Sequence, residues 1–134
     1  MQYKELRGDV PLIIQVGYMA ANVTGGFNAI VPFNARVTAA KWIPGAAITA
    51  NGTNYFTLSV FNRGAAGAGT VEIVTARSYA ATNGVKATPE TLTLSATEAN
   101  LFLTAGDVVS VECAPTGTGL ICPGGAVQLT LRGR

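Results

Sequence analysis

The chain has 134 residues, long enough for one self-supporting core and short for two. Only 12% of its side chains are charged, about half of the ~25% usual in soluble domains, and none is histidine. The nine basic residues are scattered for a net charge of +2, which excludes a stripe tracking a phosphate backbone, so nucleic acid is not an expected partner.

Residues 1–9 are polar and charged and have little to bury against their own domain, so they read as an arm, with the domain over residues 10–134. Within the arm, Tyr3, Lys4, Leu6 and Arg7 are candidate interface residues, because this mix of aromatic, aliphatic and cationic side chains has no evident use inside the domain. The arm has no long apolar core followed by a small-residue cleavage site, so it does not read as a signal peptide, and synthesis in the cytoplasm is expected. Arg7-Gly8-Asp9 spells the integrin tripeptide, but without a secretion signal it reads as the turn into the first strand. The longest apolar run, Pro11 to Ile14, is too short to cross a bilayer, and no membrane partner is expected.

From there apolar and polar residues alternate with period two, interrupted by Gly, Asn, Asp and Pro. Strands are predicted over Pro11–Ala20, Phe27–Val31, Ala35–Ile43 and Tyr55–Asn62, separated by turns at Asn22–Gly26, Pro44-Gly45 and Asn51-Gly52. Arg63–Gly69 is a Gly/Ala loop without the spacing of a phosphate-binding loop. Thr70–Ser78 follows as a strand with Val71 and Ile73 on its inner face, then Thr91–Ser95 as a short one. Thr97–Leu101 reads as one helical turn capped by Thr97. Asp107–Cys113 and Ala126–Arg132 close the domain, with Val109, Val111, Val127, Leu129 and Leu131 inward. About eight strands at roughly 10–15-residue spacing fit an all-β, two-sheet antiparallel sandwich, most simply a jelly roll, with an immunoglobulin-like sandwich as runner-up.

The chemistry-bearing residues do not assemble into a motif. The seven carboxylates fall on different predicted elements, with no paired spacing for a calcium loop or a glycosidase dyad. No histidine stands ready to activate a serine or cysteine, so no enzyme activity and no cofactor are expected. Cys113 and Cys122, across a Gly-rich turn, suit either a cross-hairpin disulfide or two buried thiols, of which free thiols are preferred; without histidine or a second cysteine pair, no metal site is expected. Trp42, the single tryptophan, is a candidate interface anchor at a strand end, set against an ordinary place in the core. A weakly charged surface of this kind is commonly covered by another subunit or a partner.

Three segments, Lys41-Trp42-Ile43-Pro44-Gly45-Ala46-Ala47-Ile48-Thr49, Thr57-Leu58-Ser59-Val60-Phe61-Asn62-Arg63-Gly64 and Leu103-Thr104-Ala105-Gly106-Asp107-Val108-Val109, give the chain a family likeness. In their order and spacing it resembles the small capsid decoration, or cement, proteins of tailed bacteriophages, of the kind found in phages of actinobacteria. The likeness runs from about Val10 to Leu131, and its motifs are structural. It implies a virion protein on the outer capsid surface, bound to the major capsid protein and to itself as a homotrimer. The alternative is a head-fibre or tail-associated adhesin that stacks Trp42, Tyr55 or Tyr79 on host glycans.

Overall fold

Alternating side chains can bury one face only if strands pair with the same phase, and the register of this chain does that throughout. The computed structural model describes residues 8–134. In chain order the strands are β1 (Val10–Val16), β2 (Gly25–Ile30), β3 (Ala35–Pro44), β4 (Tyr55–Asn62), β5 (Val71–Glu72), β6 (Arg77–Ser78), β7 (Glu90–Thr91), β8 (Phe102–Leu103), β9 (Val108–Thr116) and β10 (Gly125–Gly133). A 3₁₀ turn, Glu98–Leu101, precedes β8; Thr97 stands at its N-cap but makes no side-chain capping bond.

All pairings are antiparallel. One sheet runs β1-β10-β3-β7, with β8 also on β3; the other runs β2-β9-β4-β5, with β6 also on β4. The chain passes between sheets from β1 to β4, stays in the second sheet through β6, returns to the first for β7 and β8, and ends with β9 in the second and β10 beside β1, which is the jelly-roll order. The sandwich expected from the sequence is therefore present, and the immunoglobulin-like runner-up is not.

The core lies between the sheets. Ile14 and Val16 of β1, Val127, Leu129 and Leu131 of β10, and Val37, Ala40 and Trp42 of β3 face Phe56, Leu58 and Val60 of β4 and Val109 and Val111 of β9, all buried. Toward the end where β1 finishes, the outward rows of the first sheet carry little charge: Gln15 stands beside Ala126 and Ile43, and Ile13 beside Gln128 and Lys41, whereas Arg132 and Arg36 pair at the opposite end. Gly125 is required where β10 begins. Its φ is 149°, and a Cβ there would collide with the Ile43 carbonyl and lie 3.0 Å from the Trp42 ring.

Three predicted strands differ from the structure: Pro11–Ala20 already ends at Val16, which leaves Tyr18 in a loop, and two others differ in an instructive way. Thr70–Ser78 is two short pairings with β4, at Val71–Glu72 and Arg77–Ser78, and Val71 is 43% exposed whereas Ile73 is buried. Between them the chain leaves the sheet: Val74 bridges Leu94, and Thr75 N–H donates to the Thr93 carbonyl at 2.8 Å. Thr91–Ser95 likewise keeps to β3 only through Thr91 and the Leu92 N–H, which donates to the Ala40 carbonyl at 2.9 Å, before turning to Val74. These crossings fasten one sheet to the other along that side of the sandwich.

A buried polar chain fastens the same side. Trp42 Nε1–H donates to the Tyr79 hydroxyl at 2.8 Å, which donates to Glu90 Oε2 at 2.8 Å. Arg77 donates to Glu90 Oε1 at 2.6 Å and lays its guanidinium 3.9 Å from the Tyr79 ring centre. Trp42 and Glu90 belong to one sheet, Arg77 to the other, with Tyr79 just beyond its strand. Burial, reinforced by the bond to Glu90, pushes the Tyr79 hydroxyl above the usual phenol range.

Candidate functional site

Jelly-roll connectivity brings four loops to one end: 17–24, 45–54, 79–89 and 117–124. Backbone bonds bind them into one surface. Met19 and Cys122 exchange two bonds of 2.9 and 3.0 Å, Ile48 and Gly84 exchange two of 3.0 and 2.8 Å, and Gly45 N–H donates to the Gly124 carbonyl at 2.8 Å. Asparagine side chains complete the joins: Asn54 Oδ1 accepts from Thr118 N–H at 2.9 Å and Asn83 Oδ1 from Ala50 N–H at 2.8 Å.

This surface presents large apolar side chains where loops ordinarily carry polar ones. Tyr18 is 66% exposed, and Val23, Val85 and Ile121 are each about half exposed or more. Two grooves flank the segment Gly119–Gly125. One, of about 430 Å³, is lined by Gln15, Tyr18, Ile43, Pro44, Ala87 and Pro123 among others; the second, of about 370 Å³, by Ala21, Ala47, Ile48, Thr49, Leu120 and Ile121. Among the described residues no charged side chain lines either groove. An apolar surface held by backbone bonds, with Lys86 its one charge among the described residues, can dock with little polar desolvation opposing contact.

Beneath this end lie the two thiols. Cys113 and Cys122 are free and buried, with Sγ atoms 3.4 Å apart. The hydrogen bond to Cys122, together with burial, raises the Cys113 thiol well above its ordinary range; the same hydrogen bond lowers Cys122, so Cys122 ionises first. Among the described residues no group of three or more His, Cys, Asp or Glu side chains is placed to hold a metal ion, and no helix is long and apolar enough to cross a membrane.

Of the interface residues expected from sequence, Tyr3, Lys4, Leu6 and Arg7 lie outside the described residues. Trp42 is a correction. Its side chain is 0% exposed, because β3 alternates with Lys41 and Ile43 outward, and its one polar atom is bonded to Tyr79. It anchors the core and has no surface to offer a partner. Tyr79 is equally buried, so of the aromatics proposed to stack on sugars only Tyr55 retains surface. Sequence reading missed Tyr18, Val23, Val85 and Ile121. The available signal was a large apolar residue inside a turn cluster, as in Asn83-Gly84-Val85-Lys86.

No known protein family matches the chain, and neither a curated protein nor a solved structure does so.

Proposed function

We propose that this chain is a structural virion protein that binds the exterior of a phage capsid, bridges neighbouring major capsid subunits, and does so as a homotrimer. The observation that carries the reading is the loop end, whose one charge among the described residues is Lys86, with Tyr18 and Ile121 projecting beside two apolar grooves. The ordered likeness of Lys41–Thr49, Thr57–Gly64 and Leu103–Val109 to capsid decoration proteins adds support from the sequence side. A decoration protein needs no chemistry. By binding only the assembled lattice it stabilises that state by mass action, and many copies multiply a modest free energy per site. In a trimer three such ends, and three arms bearing Tyr3, Lys4, Leu6 and Arg7, engage together, so release of one leaves the others bound.

The test is the copy number of this chain in purified particles, by quantitative peptide mass spectrometry against the major capsid subunit. The expected result is one copy per capsid subunit or a simple fraction of it. A handful per particle would favour a fibre or tail component, and absence from particles would end the virion reading.

A further inference from the structure

We propose that Cys113 and Cys122 are a redox modification site, closed by hydrogen peroxide into a disulfide that locks the loop end of the sandwich. The inference starts from placement. These are the only cysteines of the chain, and the fold brings their sulfurs to 3.4 Å inside the core, one from strand β9 and one from the loop that follows it. Cys113 sits in β9, paired on one side with Gly25 of β2 and on the other with Leu58 of β4. Cys122 is fixed by its paired backbone bonds to Met19. A disulfide requires about 2.05 Å between sulfurs, so closing the remaining gap asks for side-chain rotation and a small shift of the 117–124 loop rather than rearrangement of either sheet.

The two thiols also differ in the way the reaction needs. Cys122 is lowered by its bond from Cys113 and assisted by the Gly124 backbone, which makes it the attacking thiolate, while Cys113 keeps its proton. The Cys122 thiolate attacks one oxygen of hydrogen peroxide; the O–O bond breaks, and hydroxide leaves as water after taking up a proton. Cys122 is then a sulfenic acid. The Cys113 sulfur attacks the Cys122 sulfur, the S–O bond breaks, and a second water leaves with the Cys113 proton. Two thiols have given up two electrons, and one peroxide has become two waters. Both sulfurs are buried, so the reaction waits on opening of the 117–124 loop and is slower than at an exposed thiol.

The product ties β9 directly to the segment that bonds Met19, which joins the 17–24 and 117–124 loops at the base of the apolar surface. Crosslinking a closed loop of about ten residues should raise Tm by about 10 °C in a domain of this size.

The experiment uses the full chain, purified reduced and exposed to hydrogen peroxide under native conditions. Expected are a loss of two hydrogens by intact mass, a peptide linking Cys113 to Cys122, and a rise in Tm that reductant reverses. Thiols that remain open to alkylation, a mass that gains oxygen without a link, or a linked chain that melts no higher would each overturn the proposal. Cys113→Ala and Cys122→Ala should each abolish the rise; should either variant fail to fold, the peptide map of the wild type decides alone.

Discussion

Removing a single oxygen, by Tyr79→Phe, tests whether the buried polar chain holds the two sheets together. The ring and its packing against Phe56, centroids 4.8 Å apart, are kept. What is lost is the acceptor for Trp42 Nε1–H, 2.8 Å away in a side chain with no exposed surface, and one donor to Glu90. A buried donor left unpaired costs about 1–3 kcal/mol, and a bond to a charged group contributes about 1.5–3. Glu90 keeps Arg77 at 2.6 Å, which holds the second figure to its low end. The sum is about 3 kcal/mol, which for a domain of this size lowers Tm by about 10 °C.

The assay is thermal and urea unfolding of the wild type, Tyr79→Phe, Trp42→Phe and the double variant. Where Trp42 is already replaced, the tyrosine change should cost much less, because no indole N–H remains to be orphaned. The same group sets an alkaline limit. Its folded pKa lies above the unfolded value near 10, so the unfolded chain releases a proton that the folded chain retains, and stability falls as pH rises beyond about 10. That slope should approach about 1.4 kcal/mol per pH unit in the wild type and be shallower in Tyr79→Phe. A Tyr79→Phe variant melting within about 2 °C of the wild type, or an equal loss in the Trp42→Phe background, would refute the reasoning.

Gly125→Ala should be among the most damaging small substitutions, because the added methyl meets the Ile43 carbonyl and the Trp42 ring at a φ of 149°. A loss of about 3 kcal/mol or more is expected, read from the urea midpoint or from soluble yield. Tyr18→Ser combined with Ile121→Ser should leave stability within about 0.5 kcal/mol, both side chains being exposed. If the loop end docks on the capsid, the same pair should weaken head binding at least about tenfold in a particle-sedimentation assay.

What the sequence made legible follows the reach of its pattern. Tyr55–Asn62 was bounded to the residue because Phe56, Leu58 and Val60 alternate strictly against Thr57 and Ser59 beside clear turn signals. The inward sets of β9 and β10 were equally readable. Thr70–Ser78 was not, since a segment shared between two sheets switches partners midway and its alternation loses phase at Ile73-Val74, both buried. Trp42 was readable in principle: Lys41 before it fixes the outward phase and leaves the indole inside. The loop end as a single surface could not be read from the sequence. Its exposed apolar residues lie in three loops, with Tyr18 and Val23 in one and Val85 and Ile121 far along the chain, and only the strand order brings those loops together.

That strand order also dictates when the molecule can exist. The first sheet is complete only when β10 slides between β1 and β3, so during synthesis β1 on one side and β3 with β7 and β8 on the other wait with no centre strand to join them. Until residues 125–133 have left the ribosome, the backbone edges of β1 and β3 stand open to any other extended chain. Closing a sheet from its two ends is a slow, long-range search. A cell making many copies at once therefore meets its greatest danger of aggregation among unfinished chains, before any finished sandwich is present.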